Sequence, residues 1–437
     1  MRRHVRVGET KTKTESMAER FKGWRKRILL TSIITYSTFY LCRVNMSVAM
    51  PGIMEEFALS KTEMGFVLTA LFMAYAAGQF INGQLGDKFG ARKLVLVGIV
   101  GSAILNLVFG FSNGLLMMVL IWGLNGYFQS MGWSPTVKTI ANWFPTKLRG
   151  KAGGLLGTSY QIGNAYSWAL AGLVVGIMGW RWAFFVPAII FLVSGVHWFV
   201  RIRNAPEEVG LPTIEEESKG IEKSEVRKDH HLGFKFTIAS VLKSRGIWIA
   251  GMSLFFLNIV RYGFISWAPT FMFEVQNATI SVAAFKAITI PLAGCFGAVF
   301  AGYISDRFFK CRRAPIAVIM LLILGLAALL YPTIPVDQWE LSLLTLMIIG
   351  FMTFGPHVAI VGIIPMDFGT RKAAASAAGF IDGMGYIGAA ITGIGSGLLI
   401  DSHGWDAAFY FWVFSALAAA ILMATLWHHK PKQREYH

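Results

Sequence analysis

Charge is what this chain lacks most. Only 15% of its 437 residues are Asp, Glu, Lys or Arg, against roughly 25% in soluble domains. That shortage excludes an ordinary water-soluble globule. With 55% hydrophobic residues and a mean hydropathy of +0.54, the chain belongs in a bilayer. Cysteine is almost missing. Cys42, Cys295 and Cys311 lie in or at the edge of apolar runs, so neither a disulfide framework nor a thiolate metal site follows from them. Also missing are an HExxH pair, a Walker loop, a nucleophile elbow and any cysteine–histidine constellation, so no enzyme chemistry, metal or cofactor is expected. Residues 1–27 are basic, with no cleavage site before the first long apolar run, and read as a cytoplasmic tail instead of a signal peptide.

What is present is a series of apolar runs, each roughly 18–25 residues long, the length that crosses a bilayer as a helix. Twelve are counted, at about 28–51, 64–84, 94–112, 115–137, 152–177, 182–200, 246–268, 280–304, 314–331, 340–363, 376–400 and 405–427. One long polar stretch, 201–245, separates the sixth from the seventh and contains Glu215-Glu-Glu-Ser-Lys-Gly. The expected organisation is a tail (1–27), a six-helix bundle (28–200), a cytoplasmic linker (201–245), a second bundle (246–427) and a short tail (428–437).

The placement of basic residues sets the expected orientation. Of 40 lysines and arginines, 35 fall in the tails, the linker and the loops on one side, and only Lys61, Arg181 and Lys286 on the other. By the positive-inside rule both termini and the linker face the cytoplasm, in an inner or plasma membrane. The same asymmetry explains the net charge of +16 without any nucleic-acid partner. The remaining two basic residues, Arg43 and Arg261, lie inside apolar spans.

An arginine in hydrocarbon costs about 3 kcal/mol or more and is normally kept for a water-filled cavity with an anionic partner. Arg43 and Arg261 are 218 positions apart, each with an arginine 16 residues earlier (Arg27, Arg245) and a proline eight later (Pro51, Pro269). Gly83-Gln-Leu-Gly-Asp87-Lys and Gly302-Tyr-Ile-Ser-Asp306-Arg repeat at nearly the same offset, as expected of a duplicated six-helix unit. Both arginines then reach similar depth from related helices. Two guanidinium forks suit a phosphate dianion. The competing reading, structural arginines neutralised by buried carboxylates, finds only Asp382 inside the spans. Tyr36 and Tyr40 precede Arg43 by seven and three residues on one helix face; they either contact the anion and orient the arginine or simply pack. Gly383-Met-Gly385-Tyr-Ile-Gly388 fits a dinucleotide fingerprint formally, but no strand precedes it and it lies in an apolar span, so it is read as a helix-packing segment.

The two halves and the motif Gly83–Lys93 resemble the major facilitator superfamily. Within it, Tyr40-Leu-Cys-Arg43-Val-Asn, Phe128-Gln-Ser-Met-Gly-Trp133-Ser-Pro, Arg261-Tyr-Gly-Phe-Ile-Ser-Trp-Ala-Pro-Thr, Phe354-Gly-Pro356 and Lys372-Ala-Ala-Ala-Ser-Ala-Ala-Gly-Phe resemble the organophosphate:phosphate antiporters. The resemblance implies twelve transmembrane helices in two pseudo-symmetric bundles, with one site at the midplane. It implies exchange of an organic phosphate ester (glycerol-3-phosphate, a sugar phosphate or similar) for inorganic phosphate by alternating access, in a monomer. A membrane sensor of phosphorylated sugars and a proton-coupled organic-anion symporter are the alternatives.

By the same resemblance, Arg43 and Arg261 bind the substrate phosphate, with Tyr36, Tyr40, Tyr160, His357, Asp382 and Tyr386 around it. The glycerol-phosphate members carry Lys where Val44 and Gln79 stand and His where Tyr160 stands, so the site here is less cationic. Three roles are open to Asp382: partner of an arginine in the empty state, reader of a cationic or hydroxyl group on the substrate, or proton-coupling carboxylate. His357 is open to packing or ligand contact. Asp87 and Asp306, at the starts of basic loops, are expected to form a cytoplasmic latch that pairs with the neighbouring half in one conformation and releases in the other.

Overall fold

Backbone groups inside hydrocarbon must be paired within their own segment, so apolar runs of this length fold as helices. The computed structural model describes residues 3–214, 242–309, 312–363 and 374–428, and all twelve expected spans are helical in it. The first half comprises α1 (Arg3–Phe39), α2 (Asn45–Phe57), α3 (Lys61–Phe89), α4 (Ala91–Phe109), α5 (Leu115–Gln129), α6 (Trp133–Trp143), α7 (Thr146–Met178) and α8 (Trp182–Arg201). The second comprises α9 (Arg245–Glu274), α10 (Ile280–Ala287), α11 (Thr289–Phe308), α12 (Arg313–Leu330), α13 (Trp339–Val358), α14 (Ala374–His403) and α15 (Trp405–Ala424).

Three apolar runs that read as continuous in sequence are broken: the first between α1 and α2, the fourth between α5 and α6, and the eighth between α10 and α11. Among the described residues, eight helical segments are long and apolar enough to cross a membrane. The other four spans all lie in the first half. Two of them are the broken α1–α2 and α5–α6 segments. The other two, α3 and α7, carry polar residues inward, such as Gln79 and Asn82 or Gln161 and Asn164.

The two halves meet along two seams. Lipid provides no hydrophobic drive between helices, so close approach depends on small residues and interhelical hydrogen bonds. Where α3 crosses α14, a Cβ added at Gly65 would sit 2.6 Å from the Gly393 carbonyl oxygen, and one at Gly397 would strike the Lys61 carbonyl. Only glycine fits. Thr69 Oγ1 donates to the Ala390 carbonyl at 2.6 Å and accepts from the Ile394 N–H at 3.1 Å. At the second seam, Ser281 Oγ of α10 donates to the Gly172 carbonyl of α7 at 2.7 Å.

The α3–α14 seam ends in a charged clasp. Asp401 accepts from the Lys61 and Thr62 backbone N–H groups at 3.2 and 2.7 Å and from Thr62 Oγ1 at 2.6 Å. These donors sit at the start of α3, where helix N–H groups lack internal partners and favour an anion. Lys61 also pairs with Glu274 at 3.2 Å. All of these contacts lie on the side away from the basic loops, and there they hold the two halves together, beside a surface groove of about 490 Å³ between Trp180 and Phe273.

Candidate functional site

The first span breaks where its arginine sits. After the 3-10 turn Tyr40–Cys42, Arg43 has φ −132° and ψ −48°, outside helical geometry. Such a break frees backbone groups that neighbours must then satisfy. Three buried amides serve the Cys42 carbonyl: Asn125 Nδ2 donates to it at 2.9 Å, Asn106 Nδ2 at 3.3 Å and Gln129 Nε2 at 3.5 Å. The amides also hold one another. Asn45 Nδ2 donates to Asn106 Oδ1 at 3.0 Å, Gln129 Nε2 to Ser102 Oγ at 2.8 Å, and Ser102 Oγ to Asn125 Oδ1 at 2.6 Å. With its NH2 group turned to Ser102, Gln129 must present its Oε1 to Arg43. It accepts there from Nη2 at 3.0 Å and Nε at 3.2 Å.

Arg261 is held differently. α9 runs through it without interruption, and Nη1 lies 2.8 Å from His357 Nε2. A guanidinium only donates, so Nε2 accepts and the imidazole is neutral with its proton on Nδ1. Rings flank both cations. The Arg43 guanidinium carbon lies 4.9 and 4.7 Å from the ring centres of Tyr40 and Tyr75, and that of Arg261 lies 5.0 and 5.1 Å from Tyr262 and Phe354. Arg43 is 7% exposed and Arg261 6%. Among the described residues neither forms an ion pair, and Arg43 Nη1 and Arg261 Nε have no hydrogen-bond partner. A buried donor without a partner is costly, and here two converge.

The two arginines border one small enclosed space of about 20 Å³, room for about one water molecule. On the basic-loop side of Arg261 a cavity of about 440 Å³ opens. Its first-half wall is aromatic: Trp133 and Tyr160 centroids are 4.8 Å apart, Tyr36 and Trp133 5.0 Å, and Tyr36 and Tyr160 5.7 Å. Its second-half wall is polar, with Asn258, His357 and Asp382 beside Arg261. Across the halves, Tyr75 meets Tyr386 at 4.5 Å and Phe72 meets Tyr262 at 4.6 Å. Phe72 and Tyr262 also border the small space beside the arginines, whereas Tyr386 borders the cavity.

Seven of the eight residues singled out around the anion border this cavity: Tyr36, Tyr40, Tyr160, Arg261, His357, Asp382 and Tyr386. Arg43 does not. It borders the small space behind, which Tyr40 and Arg261 share with it. The partner on Arg261 is His357, and among the described residues no hydrogen bond or ion pair reaches the Asp382 carboxylate, which is partly exposed to the cavity. Of the latch residues, Asp306 pairs with Arg313 of its own half at 2.7 Å. Asp87 lies near the end of α3, and its side chain is outside the described residues.

Sequence reading missed Gln129, Asn125, Asn106 and Ser102. The usable signal was a set of amides inside apolar spans, where polar residues are expensive and need partners. Ser134, hydrogen-bonded at 2.9 Å on the cavity wall to Gln79, the position where the resemblance had placed a lysine, was equally hidden.

Residues 29–393 match the family described as the Major Facilitator Superfamily. A probable hexose phosphate transport protein of Chlamydia trachomatis is 29% identical, the alignment covering 97% of this chain and 95% of that protein. A glycerol-3-phosphate transporter of Bacillus subtilis is 31% identical, with 93% of each covered. Among solved structures, a bacterial homolog of the human lysosomal transporter Spinster, inward-facing and unoccupied, superposes with a TM-score of 0.75 at 15% identity, covering 92% of this chain and 95% of that one. At that identity the likeness is one of fold.

Proposed function

Since the chain belongs to the Major Facilitator Superfamily, we propose that it is a secondary transporter, exchanging an organic phosphate ester for inorganic phosphate by alternating access. One observation carries this reading. Two buried guanidiniums, one from each half, border a single space, and each keeps a donor with no partner among the described residues. The space between them now has room for about one water, so it widens to admit a tetrahedral dianion, which then accepts from the free donors of both arginines and bonds the halves together, as neither half achieves alone. The names of the relatives, hexose phosphate and glycerol-3-phosphate carriers, support the same class of cargo.

The transport cycle follows from the seams. The halves, residues 28–200 and 246–427, are closed on the side away from the basic loops and open toward them. With the basic side in the cytoplasm and both termini there, this is the inward-facing state. Anion bound at Arg43 and Arg261 draws the inner helix ends together, while the α3–α14 seam opens on the far side. An empty site leaves two facing cations that resist this closure, which ties each crossing to an occupied site and makes the process exchange.

The test is radiolabelled phosphate uptake by the purified protein in phosphate-loaded liposomes. Uptake that requires internal phosphate or an ester, and that a collapsed proton gradient leaves unchanged, is the expected result. Uptake into phosphate-free liposomes driven by a proton gradient refutes antiport and favours the symporter. Ester binding without any uptake favours the sensor.

A further inference from the structure

The carboxylate of Asp382 has no part in gripping phosphate and repels it. It stands on α14, one turn from Tyr386, and borders the same cavity as Arg261. Every other polar group of that wall has an assigned neighbour or is neutral: His357 accepts from Arg261, and Asn258 is uncharged. Among the described residues lining the cavity, Arg261 and Asp382 are the charged side chains, and His357 and the tyrosines Tyr36, Tyr40, Tyr160 and Tyr386 are the neutral titratable ones. Asp382 shares that cavity with Arg261 and Tyr160, and among the described residues it forms a hydrogen bond or ion pair with neither. It faces a space flanked by the Tyr36, Trp133 and Tyr160 rings.

Charge balance then limits the cargo. Two arginines and one ionised aspartate leave a net charge of +1, which matches a phosphate dianion carrying one positive group and leaves a plain dianionic ester over-charged. An ammonium suits the remaining space on two counts. It pairs with an anion that has no other partner among the described residues, and it lies against aromatic faces that attract cations.

Building on the antiport reading, we propose that the preferred organic substrate is zwitterionic, an amino-substituted phosphate monoester whose ammonium is held by Asp382 against the aromatic wall while Arg43 and Arg261 hold its phosphate. Asp382 is then the residue that selects among phosphate esters.

The test compares two nearly isosteric probes, 2-aminoethyl phosphate and 2-hydroxyethyl phosphate, on the full-length protein. Binding is read as the ligand-induced rise in melting temperature in detergent, and transport as inhibition of labelled phosphate self-exchange in liposomes. The amino ester is expected to bind about tenfold more tightly, a difference of about 1.4 kcal/mol. In Asp382→Asn the ratio of the two affinities is expected to fall to within about twofold of one, the charge-assisted contact having been removed. Equal affinities in the wild type, or a preference that survives Asp382→Asn, overturn the proposal while phosphate self-exchange still upholds the antiport reading. A clear amino preference in binding without self-exchange does the reverse. Binding of neither ester overturns the proposal, and if phosphate self-exchange is missing as well, the antiport reading falls with it.

Discussion

Replacing Gln129 by glutamate converts the neutral acceptor beside Arg43 into a resident counter-ion with almost no change of shape. The present Oε1 accepts from Arg43 Nη2 at 3.0 Å and Nε at 3.2 Å, so a carboxylate oxygen in its place is already positioned for a two-bond pair. Two unit charges about 4 Å apart attract by about 4 kcal/mol at an effective dielectric near 20. Desolvating the new carboxylate takes back about half of that, leaving about 2 kcal/mol. Incoming phosphate must compete with this internal anion and also meets its repulsion. A 2 kcal/mol handicap weakens binding about 30-fold. Gln129→Leu removes the acceptor without adding charge. It leaves the fork unoriented, with an expected loss nearer tenfold, since a hydrogen bond to a charged group contributes roughly 1.5–3 kcal/mol. The assay is the apparent affinity for phosphate in liposome self-exchange, with melting temperature as a check on folding. The order glutamate worse than leucine worse than wild type distinguishes electrostatic control of the arginine from mere packing. A folded Gln129→Glu protein within threefold of wild type refutes the argument that Arg43 is kept unneutralised for the substrate.

Four further outcomes follow from the same geometry. Arg43→Lys and Arg261→Lys keep the charge but lose the fork, and each is expected to cut phosphate exchange at least about 100-fold while the protein still inserts; near-normal exchange in both disproves two-fork binding. His357→Gln supplies another acceptor for Arg261 Nη1 and is expected to keep most activity, whereas His357→Leu loses about tenfold; equal behaviour of the two would show the 2.8 Å contact to be incidental. Gly65→Leu places atoms where the Gly393 carbonyl stands 2.6 Å from a bare Cβ. The far side then stays open, seen as fast thiol labelling from that side of a cysteine introduced by Ala390→Cys and as lost exchange; slow labelling refutes the assignment of this seam as the gate. Asp401→Asn weakens the clasp on the α3 terminus by about 1 kcal/mol, and the same labelling should quicken about fivefold.

The helical spans and the paired arginines were legible in the chain, because each is a matter of local composition. An apolar run of this length has one way to satisfy its backbone in lipid, and a charge within it stands out against its neighbours. The cavity-lining role of Tyr36, Tyr40, Tyr160, His357, Asp382 and Tyr386 came from motif resemblance together with spacing, and the cavity does gather them. The break at Tyr40–Cys42 was not legible. No proline or glycine marks it, and what stabilises it is a set of amides on α4 and α5 more than 60 residues downstream.

The repeat in the sequence presents Arg43 and Arg261 as equivalents, each midway along its helix. Sequence alone determined that much: that two cations lie within apolar spans, one per half, and that the basic loops gather on one side of the helices. Tertiary packing decided how they differ. Arg43 projects from an interrupted helix and rests on an amide, while Arg261 projects from a continuous one and rests on an imidazole. A guanidinium's behaviour depends on which groups lie within about 3 Å of its nitrogens, and those groups arrive from other helices.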